Sequence, residues 1–156
     1  MNGKKKILIL GYGNPGRQDD GLGVTLVDEL NKWAEEADLD VVYTDSNYQL
    51  NLEDAATISN FDLVVFADAS KEDIDQFKLT GIEPSSVVDF SMHSVSPAFV
   101  LYLCEQIFHY KPEAYLLHIK GYEWEFMEKP TDKAIMNLEA ALDYVKNYIV
   151  NYIKVN

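Results

Sequence analysis

A chain of 156 residues is the size of one ordinary domain, long enough to bury about two-thirds of the surface its unfolded form exposes. Hydrophobic residues make up 47% and charged ones 25%, the balance of a folded globular protein with no polar tail or low-complexity tract. Asp and Glu number 26 against 13 Lys and Arg, a formal charge of -13, which argues against nucleic acid and anionic membrane surfaces as partners. Lys4-Lys5-Lys6 leads into Ile7 to Leu10, an apolar stretch too short for a secretory segment. No run approaches the span of a bilayer. The single cysteine, Cys104, has no partner for an internal disulfide. A single cytoplasmic domain, residues 1–156, is the expectation.

Strand-like and helix-like segments alternate from end to end, the pattern of an α/β layer fold. Lys6 to Tyr12 is a β-rich apolar run ending in glycine, and Gly21 to Trp33 carries Leu22, Leu26, Val27, Leu30 and Trp33 at helical spacing. Val41 to Thr44 reads as a short second strand and Leu50 to Ser59 as an acidic amphipathic helix. Leu63 to Ala67 is a central strand that Asp68 stops. Too few residues separate it from Phe77 to Ile82 for a crossover helix, so that segment is predicted to be antiparallel. About ten extended residues from Glu83 onward then span roughly 33 Å, enough to return the chain to the carboxyl end of the sheet and bring His93 near Asp68. Ser96-Pro97 opens a helix to Phe108. Tyr115 to Ile119 is a last strand, and Thr131 caps a long C-terminal helix whose buried stripe runs through Ala134, Leu138, Ala141, Leu142, Val145 and Ile149. The predicted architecture is three-layered: a mostly parallel twisted sheet of about five strands, one antiparallel, with helices on both faces.

Ligand sites of open α/β sheets lie outside the carboxyl ends of the strands. There the chain delivers Gly11-Tyr12-Gly13-Asn14-Pro15-Gly16-Arg17-Gln18-Asp19-Asp20 after the first strand, Asp45 after the second, Asp68 after the third, His93 later, and Gly121-Tyr122-Glu123 after the last. Asp20, Asp68 and His93 form an open coordination set for a borderline divalent ion such as zinc or nickel. Each has a plainer reading: Asp20 as a helix N-terminal acid, Asp68 as a turn residue, His93 as a loop histidine. Arg17 is the only arginine, suited either to gripping a substrate carboxylate or carbonyl or to pairing with Asp19 or Asp20. Cys104 falls on an apolar helix face and reads as core, and His109 and His118 as structural.

The segment Gly11-Tyr12-Gly13-Asn14 followed by Asp19-Asp20-Gly21-Leu22-Gly23-Val24 resembles the hydrogenase maturation endopeptidases. Asp68 within Val65-Phe66-Ala67-Asp68-Ala69 and His93 before Ser94-Val95-Ser96-Pro97 continue the likeness, which covers most of the chain. The resemblance implies a doubly wound sheet and an endopeptidase acting on the precursor of the nickel-iron hydrogenase large subunit. Such a protein removes a C-terminal extension once nickel has been inserted, with Asp20, Asp68 and His93 contacting the nickel that the substrate carries. Asp20 stands where some relatives have glutamate, a difference in arm length that would place the ion slightly deeper. Whether the metal also activates water or the scissile carbonyl is left open by the residues. An alternative in which Asp20 and Asp68 share a proton gives His93 no part. Arg17, Asn14, Gln49 and Glu123 are the candidates for positioning substrate. Two rivals arise from the same loop. Gly11-Tyr12-Gly13-Asn14-Pro15-Gly16 satisfies a dinucleotide-binding fingerprint, with Asp45 as the ribose acid, but Asp19 and Asp20 would oppose a pyrophosphate at the helix start. Gly13 to Gly16 also resembles the opening of peptidyl-tRNA hydrolases, without a following histidine and without a basic stripe for tRNA.

Overall fold

The computed structural model describes residues 3–88 and 95–156. Five strands, β1 (Ile7–Tyr12), β2 (Val42–Asn47), β3 (Leu63–Ser70), β4 (Phe77–Gly81) and β5 (Glu113–Lys120), form one sheet in the order β2-β1-β3-β5-β4. β1 pairs in parallel with β2 and β3, β3 pairs in parallel with β5, and β4 runs antiparallel to β5. The helices are α1 (Leu22–Glu36), α2 (Asp54–Ile58), α3 (Pro97–Phe108) and α4 (Asp132–Val155), with a 3₁₀ turn at Gln18–Gly21 leading into α1.

Alternation along the strands sorts the core into two halves. Ile7, Ile9, Leu63, Val65, Leu117 and Ile119 face one way and pack against Leu26, Val27 and Leu30 of α1 and against Ala134, Leu138, Ala141, Val145 and Ile149 of α4. Leu8, Leu10, Val64 and Phe66 face the other way, against Ala55 and Ile58 of α2 and Val100, Leu101 and Cys104 of α3. Helices therefore cover both faces, and the antiparallel strand stands where it was expected. Among the described residues, no helix is long and apolar enough to cross a membrane.

Local chemistry sets the helix starts. The Ser96 hydroxyl accepts from the Phe99 N–H ahead of Pro97 at the first position of α3, and the Thr131 hydroxyl accepts from the Ala134 N–H at the start of α4. Three of the differences from the expected boundaries have a visible cause. β2 continues to Asn47, because β1 offers it a ladder as far as Tyr12. The α2 region is helical only over Asp54–Ile58, since the Asp54 carboxylate turns back to the Asn51 N–H at 2.8 Å and fixes a turn instead of an earlier helical start. Asp68 does not stop β3. The strand runs on to Ser70 because β5 extends alongside it, pairing Asp68 with His118 and Ser70 with Lys120. β1 connects through α1 to β2 on one side and lies beside β3 on the other, so the strand order reverses at the carboxyl ends of β1 and β3, where a crevice is built into this topology.

Candidate functional site

At the end of β1 the chain turns sharply and folds back on itself. Gly13 has φ +134°, and a Cβ there would lie 2.1 Å from the Asp20 carbonyl oxygen, so only glycine fits. The Asn14 side chain accepts from the Gly16 N–H at 2.9 Å, and the Arg17 N–H donates to the Asn14 carbonyl at 3.0 Å. The Asn14 N–H in turn donates to Asp20 Oδ2 at 2.8 Å. Asn14 therefore holds the loop and one oxygen of Asp20. Among the described residues the other oxygen, Oδ1, accepts no hydrogen bond.

Asp68 lies on β3 one residue beyond the Gly11–Ala67 register pair, on the same strand face as Phe66. Burial, then the negative charge of Asp20, raise its carboxyl to about 7, against a smaller lowering by the Ala69 N–H. Tyr12 shares this face of the sheet, and its phenol is pushed well above the ordinary value by burial and by the Asp68 charge. Two carboxyl groups so close that one impedes ionisation of the other would be relieved by a cation between them. The third residue of the predicted set, His93, lies outside the described residues. Among those described, no group of three His, Cys, Asp or Glu side chains has metal-ligand spacing.

The neighbouring acid has a different task. Asp19 is fully buried, and its carboxylate accepts from the N–H groups of Tyr122, Glu123 and Thr131 and from the Thr131 hydroxyl at 2.7 to 3.1 Å. Gln18, also buried, takes a positive φ of 47°. Its side chain accepts from the Glu125 N–H and donates to Glu123 Oε2, both at 3.0 Å. These bonds fasten the loop after β5 to the turn that carries Asp20. A Cβ on Gly121 would come within 2.8 Å of Asp19 Cβ and the Trp124 ring, which is why the loop starts on glycine.

Arg17 belongs to the same junction. Its Nε donates to the Trp124 carbonyl at 3.0 Å and its guanidinium lies 5.4 Å from the centre of the Phe126 ring. Among the described residues it has no carboxylate within ion-pair distance, so pairing with Asp19 or Asp20 is not its role. A cleft of about 640 Å³ opens beside it, lined by Lys71, Trp124, Phe126 and Glu128 among others. Glu123 is held by Gln18 as described, whereas Gln49 is exposed just after β2 and makes no side-chain hydrogen bond among the described residues. Asp45 is also exposed, its Oδ1 accepting from the Ser46 N–H.

His118 lies between a hydroxyl and an acid. Its Nε2 is 2.9 Å from the Thr80 hydroxyl and its Nδ1 is 3.7 Å from Glu72. Burial lowers its pKa against the raising effect of Glu72. Cys104 is buried, with its thiol on the Tyr110 carbonyl, and His109 ends α3 in the left-handed region.

Sequence reasoning missed Asp19, Gln18 and Tyr12. Tyr12 carried a signal: it shares parity with Leu8 and Leu10 on β1, as Asp68 does with Val64 and Phe66 on β3, and so belongs on the Asp68 face. Asp19 and Gln18 carried none, because their partners come from more than a hundred residues away.

No family model matches the sequence, and neither does any curated protein. Solved structures do. The [NiFe] hydrogenase maturation protease HycI from Thermococcus kodakarensis superposes with a TM-score of 0.70 at 22% identity, covering 99% of this chain and 96% of that one. The hydrogenase maturating endopeptidase HybD from Escherichia coli gives 0.72 at 20% identity, over 94% and 93%. The hydrogenase 2 maturation peptidase of a Thaumarchaeota archaeon gives 0.66 at 17%, over 93% and 98%. From end to end, the chain has the fold of these hydrogenase maturation proteases.

Proposed function

We propose that this chain is a hydrogenase maturation endopeptidase, which removes a C-terminal extension from the precursor of the nickel-iron hydrogenase large subunit once that precursor has received nickel. The observation that carries the reading is the pair Asp20 and Asp68 at the switch point of the sheet, close enough for one charge to oppose the other. A divalent ion presented by a substrate would favour the ionised form of both carboxylates, so a metal-free precursor would meet mutual repulsion where a nickel-loaded one meets attraction. His93, in the segment after β4, is the proposed third contact. Nickel is thus cargo of the substrate and a checkpoint for its processing. The likeness of fold to solved maturation proteases over nearly the whole chain supports the same reading.

The test is incubation with a precursor large subunit, with and without nickel, followed by intact mass. Loss of a C-terminal peptide from the nickel-loaded sample alone is the expected result. Processing of neither sample would overturn the reading, and equal processing of both would remove the nickel checkpoint.

Arg17 is proposed to position the substrate tail from the cleft beside the Trp124 loop, which Glu123 also lines, with Asn14 and Gln49 as proposed contacts elsewhere along the substrate. Arg17→Lys keeps the charge but loses the Nε bond to Trp124 and the planar fork. It should cost about 1 kcal/mol of stability and slow processing roughly tenfold, the equivalent of about 1.4 kcal/mol. Thermal melting and the mass assay measure the two effects separately. A wild-type processing rate would show Arg17 to be a loop anchor only.

A further inference from the structure

We infer that the outer edge of β2 and the notch beside Gly13 together seat the extended stretch of substrate next to the scissile bond, with one apolar substrate side chain in the notch. This rests on the endopeptidase reading above and names the part of the substrate that this face of the site takes. The notch has a volume of about 220 Å³ and is lined by Gly13, Pro15, Val24, Ser46, Asn47 and Tyr48. A cavity of about 150 Å³ holds a benzene ring, so there is room for a side chain of leucine or methionine size. Tyr48 stands at the mouth, 74% exposed, an aromatic surface with no partner of its own among the described residues.

The notch joins two things that an extended peptide needs. On one side is Gly13, whose missing Cβ leaves its backbone against Asp20, and whose neighbour Asn14 holds the Asp20 carboxylate. On the other is the edge strand of the sheet. The Val41 and Asn47 carbonyls accept from Ile7 and Gly13 of the β1 segment, so the odd-numbered residues of this stretch turn their backbone inward. Val42, Thr44 and Ser46 therefore turn theirs outward. Two of the outward N–H groups are already met, Val42 by the Leu39 carbonyl and Ser46 by Asp45 Oδ1. Among the described residues Thr44 keeps both its N–H and its carbonyl open to an added strand, and its side chain is tied back to Asn31 on α1 at 3.0 Å. An extended segment pairing with Thr44 runs past Asn47 after about 10 Å, at roughly 3.3 Å per residue. It then reaches the notch and, one turn of loop further, Asp20.

An open edge alone is ordinary for a solvated sheet. Its continuity with an unfilled apolar notch and with the acid pair is what assigns it to substrate.

Two substitutions and one titration test this. Thr44→Pro removes the outward N–H together with the side-chain bond to Asn31, and leaves the ladder to β1, whose bonds come from the odd-numbered neighbours. Val24→Phe fills the notch from a half-buried position on α1. Each should raise the KM for nickel-loaded precursor about tenfold with kcat little changed and the melting temperature within a few degrees of wild type. In parallel, a synthetic peptide of the last twenty residues of that precursor is titrated into ¹⁵N- and methyl-labelled wild-type protein. Shifts at the Thr44 amide and the Val24 methyls support the assignment. Shifts confined to the Trp124 loop, or none, overturn it, as do two folded variants with wild-type KM. The parent reading fails on a different observation, the absence of any nickel-dependent cleavage by the wild-type protein.

Discussion

Asp68→Asn should abolish nickel-dependent processing while leaving a folded and more alkali-tolerant protein. Removing one charged contact to a divalent ion costs about 3 kcal/mol or more at the site, roughly a hundredfold in rate, and Asp20→Asn should do the same. Stability moves the other way. The Asp68 carboxyl, ordinarily at 3.8, is raised to about 7 in the folded protein. Between those values the native state holds a proton that the unfolded chain has released, so stability of the metal-free protein falls as pH rises from about 4 to about 7 and is flat above. Asparagine cannot ionise and removes that slope. The variant should gain about 1 to 3 kcal/mol over wild type at pH 8 and almost nothing at pH 4. Denaturant melts at the two pH values read this directly. A variant less stable than wild type at both would mean that Asp68 is an indispensable hydrogen-bonded strand residue, not a destabilised site acid.

The largest loss of stability is expected one residue away from the site. Asp19→Asn keeps the shape but replaces an oxygen that accepts with a nitrogen that donates, facing three N–H groups and a hydroxyl that all need an acceptor. Breaking a buried charged acceptor of this kind costs about 3 to 5 kcal/mol, which for a chain of this length lowers the melting temperature by roughly 10 °C or more. Thermal melting by circular dichroism measures it. Asp20→Asn, whose carboxylate accepts one bond among the described residues, from Asn14, should melt within a few degrees of wild type. Similar melting temperatures for the two variants would deny that the adjacent acids are divided between structure and function.

That division marks where sequence reasoning ends. The five strands, their layer order and the antiparallel β4 follow from local features: apolar runs, a connection too short for a helix, hydroxyl caps at Ser96 and Thr131. The placement of Asp20 and Asp68 at neighbouring strand ends follows from the general location of sites in open sheets. Which member of Asp19-Asp20 points inward does not, because adjacent residues of a 3₁₀ turn face directions about 120° apart and the choice belongs to Tyr122, Glu123 and Thr131, far along the chain. The alternative that paired Arg17 with Asp19 or Asp20 failed for the same reason: next to two acids in sequence, it is bonded to Trp124 instead. The boundary at Asp68 failed because strand length is set by the partner strand, and nothing near Asp68 reports how far β5 extends.

The close approach of α1 to the sheet has a consequence for how the site meets its substrate. A Cβ on Gly23 would lie 2.3 Å from the Ala67 carbonyl oxygen, and one on Gly11 would lie 2.4 Å from the Gly23 carbonyl oxygen. Main chain therefore rests on main chain where the helix begins, immediately between the residues that carry Asp20 and Asp68. The spacing of the two backbone segments that carry these acids is therefore fixed by main-chain contact. Such a frame is organised once, during folding, and would lose little further freedom on meeting the proposed substrate-borne ion. On the proposed function it would act as a gauge of fixed width, adjusted by the reach of the acids at positions 20 and 68.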